Sequence, residues 1–303
     1  MGEFDMNFIV NAFRGFCMAL ADSVPGVSGG TIAFILGFYD KFINSLDKLV
    51  YGKKKDKIEA FKFLIKLGIG WLIGMGSAIV ILTKLFESNI YEVSSLFLGM
   101  IILSIPLIIK TEKDCLKGKY YNIIFLIIGI VIVSLITYFN PMSGSENVID
   151  ITHINIGLGI YIFIAGMVAI SAMVLPGISG STLLLIFGLY VPIMTSIKSL
   201  MKFDFNYLPV VLIFGIGIIV GVISIIKLVK VCLEKFRSQT IYLIIGLMIG
   251  SLYAIVMGPT TLEVPKEHLN FDTFSILFFI IGILIIFGLE QIKKILEKKK
   301  IDK

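Results

Sequence analysis

Two short segments carry the residues best suited to hold an anion. Val24-Pro25-Gly26-Val27-Ser28-Gly29-Gly30-Thr31 returns 151 positions later as Leu175-Pro176-Gly177-Ile178-Ser179-Gly180-Ser181-Thr182, each copy inside a long apolar stretch. Pro lacks a backbone donor and Gly weakens a helix, so Pro-Gly-x-Ser-Gly stops one helix and lets another begin near its Ser-Gly-Thr end. A helix start presents unpaired N–H groups and the positive end of the helix dipole, which together suit phosphate. Ser28, Thr31, Ser179, Ser181 and Thr182 add hydroxyl donors, while Gly29, Gly30 and Gly180 let the backbone approach a ligand closely. Ser23, Pro25, Gly26, Pro176 and Gly177 complete the candidate substrate-binding set as the turns that aim these donors. The competing reading is a pair of packing kinks in which Gly and Ser only bring helices together. A kink alone leaves the recurring hydroxyls unexplained.

Two ionisable residues flank the first turn. Arg14, eleven residues before Pro25, can grip a phosphate with its guanidinium or snorkel to the cytoplasmic interface. Asp22, three residues before Pro25, can accept a proton, pair with Arg14 or cap the turn. The second copy has Met173 at the matching position, so this charge belongs to one repeat only. Neither turn contains Arg or His, and no Glu lies close upstream, so a hydrolase lacks its charge clamp and base. No catalytic residue is assigned.

The chain is 57% hydrophobic with a mean hydropathy of +0.98, and its charges concentrate between apolar runs. That composition describes a polytopic all-α membrane protein. Its 27 Lys+Arg against 21 Asp+Glu sit beside apolar segments, where orientation and anionic lipid headgroups explain them without nucleic acid. Cys17, Cys115 and Cys232 are far apart and His153 and His268 fall in predicted loops, so free thiols, no metal and no cofactor are expected. The apolar stretch from Phe8 to Leu20 is interrupted by Arg14 and has no cleavage signature, so it is expected to be retained.

These candidates need elements to position them. Apolar runs cover about 8–21, 27–46, 63–86, 94–110, 121–139, 154–174, 178–200, 208–229, 240–258 and 271–290. Gly68, Gly70, Gly74 and Ser77 match Gly215, Gly217, Gly221 and Ser224 at an offset of 147, and Gly99 and Ser104 match Gly246 and Ser251 at the same offset. Small residues so spaced are expected to line one helix face and admit a neighbour. The chain therefore divides into a first repeat over 1–140, an outer linker over 141–153 and a second repeat over 154–303, in one integrated membrane domain. Each repeat reads as a Pro-Gly-broken, re-entrant helical hairpin followed by three transmembrane helices.

Lysine bias sets direction. Lys41 to Lys66, Lys110 to Lys119, Lys227 to Arg237 and Lys293 to Lys303 mark cytoplasmic segments, whereas Glu87 to Glu92, Glu146 to Asp150 and Glu263 to Asp272 mark outer ones. Both termini are then cytoplasmic, the first hairpin enters from the cytoplasm and the second from outside. Lys198 and Lys202 run against this count. Paired breaks entering from opposite faces are the arrangement for alternating access around one central site.

At Ala21-Asp22-Ser23-Val24-Pro-Gly-Val-Ser-Gly-Gly-Thr31 and Leu175-Pro-Gly-Ile-Ser-Gly-Ser181 the chain resembles the bacterial undecaprenyl phosphate translocases, PopT, over nearly its whole length. It is distantly similar to undecaprenyl pyrophosphate phosphatases, but has Gly29 and Gly180 where their turn carries an essential Arg. The PopT resemblance implies return of the C55 carrier's monophosphate from the outer to the cytoplasmic leaflet of the bacterial cytoplasmic membrane, with membrane lipids as surroundings. A phosphate cannot cross hydrocarbon unaided, so a polar site must carry the head while the prenyl tail stays in lipid. The alternatives are a small-anion transporter, a phosphatase-like enzyme and a membrane scaffold. The sequence leaves oligomeric state open, a homo-oligomer included.

Overall fold

The computed structural model describes residues 2–22, 28–138, 155–261 and 266–301. Ser23, Pro25 and Gly26 of the first turn and the predicted linker over 141–153 lie outside them. All regular structure among the described residues is helical. Helix α1 (Gly2–Asp22) runs to the first turn, α2 (Gly29–Ile35) leaves it, and α3 (Tyr39–Tyr51) follows. Then come α4 (Lys54–Thr111), the single turn α5 (Lys113–Leu116) and α6 (Ile123–Tyr138). The same series restarts with α7 (Ile156–Val174), α8 (Gly180–Ile186), α9 (Tyr190–Met201), α10 (Leu208–Lys235), α11 (Arg237–Met257) and α12 (Ile276–Ile301).

Three readings of the apolar runs are corrected. The run at 27–46 is not one helical arm: α2 stops after seven residues, about 10 Å of helix, too short to cross hydrocarbon. Gly37 (φ 69°) sits just past its end, with Gly37 N–H donating to Phe34 O and Phe38 N–H to Ala33 O, each at 3.0 Å. Those two bonds are a Schellman stop, which needs the left-handed backbone that glycine adopts freely. The run at 178–200 breaks in the same way, with Gly188 at φ 64° and Leu189 N–H on Leu184 O at 2.9 Å. The runs at 63–86 and 94–110 are joined without a loop, as two limbs of α4 meeting at the non-helical Asn89.

Packing repeats along with sequence. A Cβ on Gly70 or Gly74 of α4 would collide with Ala12 O or Phe16 O of α1, and one on Gly217 or Gly221 of α10 with Phe163 O or Met167 O of α7. Gly15 against Leu67 O and Gly166 against Phe214 O close the same two seams from the other side. A second pair of seams joins α4 to α12 through Gly99 and Gly282 and α6 to α11 through Gly129 and Gly246. Without side chains in the way, backbones approach closely and gain dispersion where lipid offers no hydrophobic drive. Gly68 and Gly215 are not in these seams, since an added Cβ at either meets nothing within 4 Å. Ser77 and Ser224 donate to their own helices, at Ile73 O and Val220 O, both at 2.8 Å.

Five helical stretches among the described residues are long and apolar enough to cross a membrane: Asn89–Thr111, Tyr120–Tyr138, Ile156–Val174, Leu208–Lys235 and Arg237–Thr260. Ile124, Ile127, Val131 and Leu135 of α6 and Leu212, Ile216 and Ile219 of α10 face outward, as lipid-facing side chains do. The chain is a multi-pass membrane protein.

Gly70→Val and Gly217→Val are expected to disrupt their seams, costing on the order of 1–3 kcal/mol or more through overpacking. Gly68→Val and Gly215→Val are expected to be tolerated. Thermal unfolding and gel filtration in detergent check this; equal loss in all four would show that the seams do not hold the repeats together.

Candidate functional site

The two turns meet. Breaking a helix at Pro176 leaves the last carbonyls of α7 without intrahelical partners, and side chains from the first half bind them. Ser28 Oγ donates to Leu175 O and Tyr39 Oη to Val174 O, each at 3.1 Å. In return Gly177 N–H donates to Thr31 Oγ1 at 2.8 Å. Ser28 and Thr31 hydroxyls lie 3.1 Å apart, and Ser28 Oγ also accepts from Thr31 N–H at 3.3 Å as the cap of α2. A Cβ on Gly30 would meet Val174 O at 2.7 Å, so glycine is what lets the turns touch.

Asp22 caps the start of α2. Its Oδ1 accepts from Gly29 N–H at 2.6 Å and its Oδ2 from Trp71 Nε1–H at 3.0 Å. An internal carboxylate therefore holds the start of α2, where a free anion would otherwise bind. The second half has no such carboxylate: Met173 lies against Gly180. Arg14 is not paired with Asp22; its Nη1 donates to Asn11 Oδ1 at 3.1 Å and its guanidinium lies 4.9 Å over the Phe38 ring.

Ser28, Gly29, Gly30, Thr31, Pro176, Gly177, Ser179, Gly180 and Thr182 are all buried, with Ser28, Gly30, Thr31 and Gly177 at the contact itself, and Ser181 is described only by its backbone in α8. The sequence reading named these residues as candidates but did not foresee Tyr39, Trp71, Asn11 or Phe38. An aromatic donor on a neighbouring helix leaves no local pattern.

A cavity of about 550 Å³ lies at the other end of α2. Phe34–Gly37 and Tyr39, the end of α4 from Ser104 to Glu112, and Ile286 and Glu290 of α12 line it, together with Asp40. Beside it Arg237 bridges the halves, with Nη2 on Glu112 Oε1 at 2.7 Å, Nε on Glu112 Oε2 at 3.0 Å and Nη1 on Asp40 Oδ2 at 3.1 Å. Such forked charge-assisted bonds fix orientation as well as distance. Lys230 binds Asp47 at 2.6 Å and adds a second bridge. The three cysteines are free thiols. Burial and the neighbouring Glu112 push the Cys115 thiol up to about 11.

A family model described as VCA0040-like, undecaprenyl phosphate translocase-like, matches residues 18–272. The chain belongs to that family. It is 36% identical to the polyprenyl-phosphate transporter of Staphylococcus aureus strain NCTC 8325 / PS 47 over 93% of this chain and 96% of the relative. It is 31% identical to the polyprenyl-phosphate transporter of Vibrio cholerae serotype O1 over 85% of this chain and 80% of the relative. These relatives are named as transporters, which places the family with transporters rather than enzymes. No solved structure matches the chain.

Thr31→Val removes the acceptor for the buried Gly177 N–H and is expected to destabilise the protein by about 1–3 kcal/mol, whereas Thr31→Ser retains most of the stability. Unfolding in detergent measures both, and equal stability of all three forms would remove the junction as a structural clasp.

Proposed function

We propose that this protein carries the phosphate head of undecaprenyl phosphate from the outer to the cytoplasmic leaflet of the bacterial cytoplasmic membrane, returning the carrier to cell-wall polymer synthesis. The observation that carries this reading is the junction, where donor-rich turns from two halves of the chain meet through Ser28, Thr31 and Gly177. The names of the relatives supply the substrate class. The prenyl tail stays in lipid, since removing it would expose a long hydrocarbon chain to water.

In this reading the halves form an inverted repeat. The first broken hairpin enters from the cytoplasm and the second from outside, so rocking one half against the other opens the junction to each leaflet in turn. Arrival of the phosphate exchanges the bonds between the turns for bonds to the head. Asp22 is itself an anion on Gly29 N–H, so it must take up a proton or swing aside before phosphate can use that amide. Arg14 is the cation of the route, one turn beyond Asn11. The Arg237 and Lys230 bridges close the cytoplasmic side between transits.

The test is a leaflet-sided assay of C55 phosphate in cells depleted of the protein and of redundant translocases. Outward-facing C55 phosphate is expected to accumulate; its failure to do so contradicts the lipid reading, and movement of inorganic phosphate instead supports a soluble-anion transporter. Arg14→Ala is expected to lower translocation about tenfold at equal amounts of folded protein. Unchanged transport would take Arg14 out of the route.

A further inference from the structure

The last turn of α3 and the first turns of α4 form an open groove of about 780 Å³. Leu49 comes from α3, Gly52 from the corner between the helices, and Lys54, Lys57, Ile58 and Phe61 from α4, with Lys62 at the end of the series. A Cβ on Gly52 would collide with Lys48 O, so the corner has room only for glycine. Among the described residues this corner alone lines the groove, and none of the lining side chains is acidic.

The α4 wall follows one pattern. Ile58, Phe61, Ile65, Ile69 and Leu72 are exposed at steps of three or four residues, which puts them on one face of the helix. Lys54 and Lys57, exposed as well, stand one turn before Ile58 and Phe61. The opposite face is occupied: Ala60, Phe63 and Leu67 are buried there, Gly70 and Gly74 seat α1, and Asp56 falls in register with them. At ~1.5 Å per residue the stretch from Phe61 to Leu72 runs about 17 Å, close to one leaflet of a hydrocarbon core ~30 Å thick.

Orientation in a membrane accounts for lysines on one side of it but requires no exposed apolar residue in line with them. Helix stability does not account for them either, because a helix start favours anions and Lys53 at the cap position makes no side-chain capping bond. Cations followed by exposed hydrocarbon along a single helix face match an amphiphile, with its phosphate beside the ammonium groups and its chain along the apolar stripe.

We infer that this groove binds an anionic phospholipid, with a single-phosphate glycerol headgroup at Lys54 and Lys57 and an acyl chain along Phe61, Ile65 and Ile69. A zwitterionic phospholipid offers the same chains, but its own ammonium offsets the phosphate, so the lysines favour phosphatidylglycerol over phosphatidylcholine. Nothing in this chemistry depends on the transport reading.

Native mass spectrometry of the purified full-length protein in neutral detergent, with phosphatidylglycerol or phosphatidylcholine of the same acyl chains, counts the bound lipid. The wild type is expected to bind phosphatidylglycerol about tenfold more tightly. Lys54→Gln/Lys57→Gln is expected to lose that preference while holding phosphatidylcholine within twofold, which an unfolded variant does not do. Lys54→Arg/Lys57→Arg is expected to keep the preference, as is Lys113→Gln/Lys117→Gln, which removes the same charge from exposed positions outside the groove. A wild type without preference, an Arg pair that loses it, or equal loss from both Gln pairs would overturn the site. Glycerol 3-phosphate competing as well as phosphatidylglycerol would make this a free-phosphate site, and farnesyl phosphate competing better would make it a station for a prenyl carrier; either result overturns the phospholipid assignment.

Discussion

A peptide group inside hydrocarbon has no water to bind, so a helix broken there must find partners in the protein. That constraint organises this molecule. Pro176 frees the end of α7, and Tyr39, Ser28 and Thr31 from the other half bind what it frees. The first break uses Asp22 and Trp71 for the same purpose at Gly29. Two breaks that satisfy each other bind the repeats at one polar point, and any ligand reaching that point must substitute for the bonds it displaces.

The glycine seams make this possible. Close backbone contact along α1 with α4 and α7 with α10 sets each broken hairpin against a long helix, and the α4–α12 and α6–α11 seams repeat the arrangement further along the chain. The short α2 and α8, seven residues each, begin at the buried Gly29 and Gly180. The charged contacts lie elsewhere, where Arg237 and Lys230 join the halves through Asp40, Glu112 and Asp47. The halves are thus joined by forked, charge-assisted bonds as well as by small-residue backbone contacts.

Much of this was legible in sequence because it repeats. The Pro-Gly turns at offset 151, the glycine pairs at 147 and the apolar runs gave the helical membrane fold and brought Ser28 and Thr31 together with the Pro176 turn. The stops at Gly37 and Gly188 were also legible, as glycine followed by an apolar residue, but were hidden inside runs that read as continuous. Gly68 and Ser77 shared the motif without sharing the seam, because composition shows which residues are small and not which face meets a neighbour. Partners chosen by tertiary packing left no trace: Trp71 on Asp22, Tyr39 on Val174 and Arg237 on Glu112. Each joins elements whose approach is fixed only once the fold exists.

The sole tryptophan, Trp71, donates to Asp22 at the head of α2 and so reports on the junction. Titrating farnesyl phosphate into the purified protein while following Trp71 emission tests whether a phosphate head reaches that point. A saturable change that farnesol does not reproduce is expected. Full binding by equilibrium dialysis with Trp71 emission unchanged would contradict passage of the head between the two turns.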